Sequence, residues 1–505
     1  TDGLLSTLDA VRSKLDQPLP LGYCHVGIVV AVGNDVHGFR VGDRVASNGP
    51  HAELVAIPQH LCAAIPDAVT DEAAAFTVLA AIGLQGIRLA QPTLGETFLV
   101  SGLGLIGLLT AQLLLAQGCR VLGVDPDPRQ CSLAQSLGIA ALPLSDAADP
   151  LAWCLEQTDC VGVDGVLLTA ATSSSEPVHL AANACRQRGR IVLVGVTGLE
   201  LRRALFYKKE LSFQVSCSYG PGRYDPAYEQ QGHDYPIGFV RWTEQRNFQA
   251  VLQALASGLL RTDGLISDRF VIDQAAEAYT LLSSPTPSLG ILLSYPETAK
   301  PEQRTITLAA PPSPPQRRAG TTPVLTVFGA GNYASRQLIP AFVKAGAQLH
   351  SVVAQSGVNP VHVGRRFRFQ QASTDLEASL ADPTINTVVI ATRHDSHAPL
   401  VQKALAAGKH VFVEKPLCLN GAELKAIQSA YASHHGVIGA SPLLMVGFNR
   451  RFAPLLVDLK QELSRLQGPK AFVYTCNAGA IPADHWTQNP AAGGGRLLGE
   501  ACHFV

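Results

Sequence analysis

Two rhythms alternate along the chain. Residues 24–57 carry short apolar alternations, HVGIVVAVG, VGDRVA and HAELVAIP, with the turn NDVHGF between the first two. They predict a small antiparallel β-rich unit. Over 71–90 the pattern turns helical in DEAAAFTVLAAIGLQGIRLA, with Asp71 and Glu72 at the positive end of the helix. From 97 apolar runs and helical stretches take turns: TFLVSG, LIGLLTAQLLLAQ, CRVLGVD, PRQCSLAQSLG, GVDGVLLTA and GRIVLVGVT. Helices are expected at 246–257 and 274–283, and a strand in SLGILLSYP. Residues 296–323 break the pattern with seven prolines and no period, as an interdomain linker does. From 324 a second series runs VLTVFG, a helix through IPAFVKAG, HSVVAQ, NTVVIAT, a helix through LVQKALAAG, and HVFVEKP. The prediction is an α/β chain with two doubly wound parallel-sheet domains.

Composition narrows the function. A chain of 505 residues, 47% hydrophobic and 16% charged, exceeds one core and buries large ones. A net charge of −1 supplies no field for nucleic acid or an anionic membrane, so a small-molecule substrate is expected. The stretch between Glu96 and Arg120 is free of charge and long enough to suggest a membrane span. Its fingerprint glycines, Gln112 and Gln117 point instead to a buried strand–turn–helix. The eleven cysteines are scattered without a C-x-x-C, which fits reduced thiols in the cytoplasm. The chain opens at Thr1, ends at Val505 and has its single methionine at Met445, so it is expected to continue at both ends. A homo-oligomer stays open.

Two glycine turns carry the candidate chemistry. SGLGLIG places Gly102, Gly104 and Gly107 in G-x-G-x-x-G spacing, followed by Leu105 and Ile106 at a helix start. The first glycine serves the tight turn, the second lets phosphates approach, and the third brings helix and strand together. Asp125, closing CRVLGVD about twenty residues on, suits both ribose hydroxyls and repels a 2′-phosphate, which favours NAD(H). The second turn, GAGNYA, holds Gly329, Gly331, Asn332, Tyr333 and Ala334 in the G-x-G-x-x-A form. There Gln355 and Ser356 stand where a ribose acid would be, so NAD(H) and NADP(H) both remain open. Arg365 and Arg366 suit either a 2′-phosphate or a solvated face.

GIVVAVGNDVHGFRVGDRVA, HAELVAIP, AAAFTVLAA, SGLGLIG and VLGVD together resemble the medium-chain, alcohol dehydrogenase-like family over about 1–296. The resemblance implies a partial GroES-like catalytic unit at 1–71, completed by about 260–296, around a Rossmann-type NAD-binding domain at 72–259. Zinc-dependent members carry Gly-His-Glu where this chain has Gly22-Tyr23-Cys24, and the four-cysteine lobe is missing. No zinc is therefore expected, and Tyr23 resembles the zinc-free, quinone-reductase-like members. Neighbouring Cys24 and His25 would face opposite sides of a strand. The loop 218–242 mixes aromatics with charges, and Tyr219, Arg223 and Tyr224 suit stacking on a sugar ring or, equally, a packed surface loop.

The second half resembles the glucose–fructose oxidoreductase/inositol dehydrogenase/MocA family through GAGNYA, VVIATRHDSHAPL and KHVFVEKPL, in that order. Both strands end abruptly in polar residues, which places Thr392, His397, Glu414 and Lys415 at the carboxyl ends of the sheet, where ligands bind. The resemblance implies that Lys415 of Glu414-Lys415-Pro416 is the catalytic acid/base beside the nicotinamide. It also implies that His503, in GGGRLLGEACHFV, works with that lysine. The family's acid four residues before this histidine is here Gly499, and Glu500 is expected to point elsewhere. Trp486 is a further substrate candidate. The expected boundaries are 297–323 for the linker, 324–418 for the second Rossmann domain, and 419–505 for the start of an α/β open-sheet substrate domain beginning near AFVYTCNAGA. Together the two resemblances imply a nicotinamide-dependent oxidoreductase acting on a sugar, nucleotide-sugar or polyol in bacterial polysaccharide metabolism. Two alternatives are one catalytic half with a cofactor-binding scaffold, and a non-enzymatic NAD(H) redox sensor.

Overall fold

In the computed structural model two compact units divide the chain, one over Pro20–Thr298 and the other through Ala299–Val505. The structure describes residues 20–145, 147–284, 287–296, 303–308, 322–355, 357–434, 441–475, 477, 479–482 and 485–503. The start of the expected GroES-like unit (1–19), most of the expected linker (297–302 and 309–321) and Ser356 lie outside the described residues.

The first unit opens with a three-stranded antiparallel sheet, β1 His25–Ile28, β2 Arg44–Ser47 and β3 Cys62–Ala64. HAELVAIP was expected as its third strand. Residues 51–57 are irregular instead, Leu54 is 63% exposed, and Cys62–Ala64 takes the place beside β2. The helix expected over 71–90 divides into Asp71–Ala74, where the Thr70 hydroxyl accepts from the Ala73 N–H, and Thr77–Ala90.

The strands β4 Thr97–Ser101, β5 Arg120–Asp125, β6 Ala140–Pro143, β7 Val163–Leu168, β8 Cys185–Leu193 and β9 Ser212–Val215 form a parallel sheet. Its order is β6-β5-β4-β7-β8-β9. The central strands β4, β5 and β7 are buried on both faces, which is why they read as apolar runs. Phe98, Val100, Val121 and Val192 pack on the side of the helices Thr77–Ala90, Leu105–Ala116 and Glu244–Ala256. Leu99, Leu122, Val166 and Ile191 pack on the other side with Val178, Ala181 and Ala182. The charge-free stretch is β4, a turn and the helix Leu105–Ala116. Among the described residues no helix is long and apolar enough to cross a membrane. A parallel pair, β10 Ile266–Val271 and β11 Gly290–Ser294, completes the described strands of this unit.

The second unit holds a seven-stranded sheet, β12 Thr305–Thr307, β13 Val324–Phe328, β14 Gln348–Val353, β15 Gln371–Ser373, β16 Thr387–Ile390, β17 His410–Val413 and β18 Leu444–Val446. The order is β12-β15-β14-β13-β16-β17-β18, with β12 alone antiparallel. Two strands differ from expectation. β12 lies in the expected linker and pairs along the sheet edge, its Thr305 hydroxyl 2.8 Å from that of Ser373. β18 lies in the expected substrate domain yet extends the Rossmann-type sheet beside β17. Residues 471–475, expected to begin an open sheet, form no strand.

In each sheet the order reverses at one strand. β4 lies between β5 and β7, and β13 between β14 and β16. A crevice opens there at the carboxyl ends, and each glycine turn follows the reversing strand.

Candidate active site

The first turn is shaped by missing side chains. Gly102 has φ 97°, and a Cβ on it would stand 2.6 Å from the Ala170 N beyond β7. A Cβ on Gly107 would stand 1.9 Å from the Gly102 O, so only glycine lets the helix approach the strand. At Gly104, which opens the helix Leu105–Ala116, a Cβ would meet nothing within 4 Å, leaving open space in front of the helix N–H groups. Leu105 and Ile106 form the half-buried first turn. The Asp125 carboxylate accepts from the Leu103 N–H at 2.7 Å and the Asp127 N–H at 2.8 Å. One bond per oxygen leaves acceptor capacity for ribose hydroxyls. The cradle therefore fits a dinucleotide.

Zinc fits less well. Cys24 is half-buried, and burial pushes its thiol up to about 12. Tyr23 stands in the histidine place and is 49% exposed, while the His25 ring bonds the Ala52 carbonyl at 3.1 Å. No group of three or more His, Cys, Asp or Glu suited to a metal occurs among the described residues.

The aromatic loop resolves mostly as packing. Tyr219 is 3% exposed, its hydroxyl takes a hydrogen bond from Asn48 at 3.1 Å, and its ring lies 5.2 Å from that of Phe248. It is a core residue, which corrects its assignment to substrate. Arg223 pairs with Glu229 at 2.6 Å and lies 4.1 Å from the Tyr224 ring, which is itself 69% exposed. Beside them Glu244, which the sequence did not single out, is fully buried, and neither carboxyl oxygen has a hydrogen-bond partner. Burial, reinforced by Glu229 and opposed by Arg223, pushes its carboxyl up to about 8.

The second turn repeats the glycine logic. Gly329 has φ 101°, and a Cβ there would stand 2.4 Å from the Ala391 O. Gly331 has open space, and the chain then enters a π turn, Ala334–Leu338, with Ala334 buried and Asn332 exposed. Tyr333 accepts at its hydroxyl from Asn449 at 2.8 Å.

The ends of β13, β16, β17 and β18 surround a cavity of about 480 Å³. Tyr333, Thr392, His394, His397, Glu414, Lys415, Asn449, Arg450, Trp486, Glu500 and His503 line it. Lys415, Thr392, His503 and Trp486, expected from sequence, thus meet in one place. His397 is 1% exposed, with ring nitrogens 2.7 Å from the Pro416 O and 3.2 Å from the Thr392 O. It ties the ends of β16 and β17 together at the cavity wall. Glu414 is buried, which raises its carboxyl above the ordinary range, and a Cβ on Gly447 would press within 2.6 Å of it.

The segment around Trp486 closes the cavity. The Trp486 ring meets His394 edge-on at 4.8 Å, and the His394 ring bonds the Gly493 carbonyl at 2.8 Å. The Lys415 Nζ donates to the Gly499 O at 2.5 Å. The Glu500 carboxylate reaches it at 3.7 Å, and its other oxygen lies 3.9 Å from Arg450. This corrects the expectation that Glu500 points elsewhere. The helix Gly495–Glu500 ends at that residue, so its side chain is free to swing inward from the last turn. Burial, then the charges of Lys415 and Arg450, hold the His503 imidazole below its ordinary range, with Glu500 opposing. Asn449 and Arg450 were also missed, although LLMVGFNRR shows the same apolar strand with an abrupt polar end.

Three family models match the chain: "Alcohol dehydrogenase GroES-like domain" at 5–67, "Zinc-binding dehydrogenase" at 106–230, and "Oxidoreductase family, NAD-binding Rossmann fold" at 325–441. The chain thus joins, as a fusion, segments that match oxidoreductase family models of two kinds. The fusion is 34% identical to scyllo-inositol 2-dehydrogenase (NAD(+)) of Bacillus subtilis, covering 32% of this chain and 46% of the relative. It is 26% identical to D-guloside 3-dehydrogenase of Escherichia coli, covering 54% of this chain and 75% of the relative. The fusion thus spans about half the length of the first of these relatives. Among solved structures, alcohol dehydrogenase TADH from Thermus sp. ATN1 aligns at TM-score 0.47 with 22% identity, over 58% of this chain and 89% of that one.

Proposed function

We propose that the second half interconverts a secondary hydroxyl and a carbonyl on a sugar or polyol, with a nicotinamide nucleotide as redox partner. The observation that carries this reading is that Lys415 and His503 line one cavity of about 480 Å³ beside an unobstructed glycine turn. That volume suits a monosaccharide-sized ligand. The match to an inositol dehydrogenase supports the substrate class; the guloside dehydrogenase match, over 54% of the chain, is too long for the second half alone and takes in much of the first. When bound, the nucleotide supplies the hydride acceptor or donor.

The chain's own residues do the rest. Gly329 and Gly331 leave the backbone free to hold the pyrophosphate, and Tyr333, 43% exposed, follows them in the turn. The Lys415 Nζ takes the hydroxyl proton as the carbonyl forms and returns it in the reverse direction. His503, kept neutral by burial and neighbouring cations, donates its ring N–H to the oxygen of the same hydroxyl. Trp486 offers an apolar face to a sugar ring. The test uses scyllo-inositol deuterated at its C–H positions with NAD, alongside a panel of glycosides and pentitols. Deuterium should reach the nucleotide in wild type and not in Lys415→Ala. Transfer that persists in the variant refutes the assignment.

For the first half a scaffold reading gains support from Tyr219, which is in the core rather than in a site. We assign it NAD(H) binding through Asp125 without zinc. Its cradle is then a second nucleotide site, to be counted by calorimetry on the whole chain.

A further inference from the structure

We propose that Glu500 is the charge-compensating partner of Lys415, standing in for the acid that Gly499 does not provide. The inference rests on the reading of Lys415 as acid/base. Three observations converge. The Glu500 Oε1 lies 3.7 Å from the Lys415 Nζ, while its Oε2 lies 3.9 Å from Arg450. The backbone carbonyl one residue earlier, on Gly499, accepts from the same Nζ at 2.5 Å. Glu500, Lys415, Arg450 and His503 all line the one cavity. A carbonyl and a carboxylate thus flank the amine, and the Glu500 side chain is 39% exposed toward the cavity side of the helix end.

The chemistry follows from charge. When the substrate O–H bond breaks, its proton passes to the neutral Lys415 amine, which becomes an ammonium. The C–H hydrogen leaves with its electron pair to the oxidised nicotinamide, and the C=O bond forms. The Glu500 carboxylate keeps its charge throughout and stabilises the ammonium as it appears. An interaction that strengthens as charge develops lowers the barrier rather than the substrate dissociation constant. Glu500 is therefore a positioning and electrostatic residue, acting through Lys415. Gly499 makes room for the arrangement. It is buried, and a Cβ there would already stand 3.3 Å from the His394 ring, so an acid on residue 499 would press on that ring.

The test compares Glu500→Gln, Glu500→Asp and Lys415→Ala in the full chain. Glu500→Gln should lower kcat about tenfold to a hundredfold with KM and NADH affinity little changed, and Glu500→Asp should recover part of the loss. A second readout needs no turnover. Labelling of Lys415 by an amine-directed acylating reagent, followed by peptide mass spectrometry, should speed up several-fold in Glu500→Gln, because an uncompensated ammonium gives up its proton more readily. Unchanged labelling in Glu500→Gln overturns the proposal, as does an equal loss of NADH binding or a failure of aspartate to recover more than glutamine. Full activity in Lys415→Ala would instead remove the reading beneath it, whatever Glu500 does.

Discussion

Replacing Glu244 by glutamine removes a charge that the first unit resists. Its carboxyl is fully buried without a hydrogen-bond partner, and burial lifts it from 4.5 to about 8. The folded protein therefore keeps a proton that the unfolded chain releases near 4.5. Between those two values the native state binds more protons than the unfolded state, so this group makes stability fall as pH rises. Below 4.5 the penalty is absent, and above about 8 it is complete. A difference of roughly 3.5 pH units at about 1.4 kcal/mol each gives roughly 5 kcal/mol in full and about 3 kcal/mol at pH 7. Glutamine has nearly the same shape and no such titration. Urea denaturation followed by tryptophan fluorescence, at intervals from pH 4.5 to 9, should show wild type losing stability relative to Glu244→Gln by several kcal/mol. Taking the difference between the two proteins cancels every other titrating group. A difference that stays within about 1 kcal/mol across the range would refute the reasoning, since it would mean the carboxylate is solvated or paired.

The two cradles can be separated without disturbing the fold. A Cβ on Gly104 or Gly331 meets nothing within 4 Å, so Gly104→Asp and Gly331→Asp should fold normally while each sets a negative charge against the pyrophosphate. Calorimetric titration with NADH should fall from two sites to one in each variant, and only Gly331→Asp should stop deuterium transfer. Gly329→Ala, with φ 101° and a contact of 2.4 Å to the Ala391 O, should cost about 1–3 kcal/mol in thermal or urea stability as well as nucleotide binding. Tyr219→Phe removes the hydroxyl that Asn48 bonds, so it should cost about 1 kcal/mol of stability with no change in substrate KM; a raised KM would restore Tyr219 to a binding role.

The pattern of the chain revealed what burial on both sides imposes. β4, β5, β7, β13, β16 and β17 are covered on both faces, and each appeared as an apolar run in the expected place. Both glycine turns were legible for the same kind of reason: at Gly102, Gly107 and Gly329 a Cβ has no space to occupy. Edge elements left weaker traces. Thr305–Thr307 has one strand neighbour and a polar surface, so nothing in TIT distinguishes it from the proline-rich stretch around it. Cys62–Ala64 is three residues long, too short for alternation to show, whereas HAELVAIP has the alternation but no pairing strand among the described residues.

The site was legible in part because its residues come from two kinds of segment. Thr392, Glu414 and Lys415 follow apolar strands directly, so the sheet topology alone brings them together. Trp486, Gly499, Glu500 and His503 belong to short turns and a six-residue helix, whose direction no periodicity fixes. The helical-wheel argument turned Glu500 away because it assumed a helix that continues. After Glu500 the chain tightens into the 3-10 turn Ala501–His503, which changes the helical period, and a side chain with three rotatable bonds reaches the cation that the wheel puts on another face. The loop at 218–242 failed in the opposite sense. Aromatics among charges describe a sugar platform and a packed polar core equally well, and what separates them is burial, which places Tyr219 and Glu244 inside. A buried acid without a partner is a cost that a surface loop would avoid, whereas the buried Tyr219 phenol is satisfied by Asn48. The pH series on Glu244→Gln measures the size of that cost.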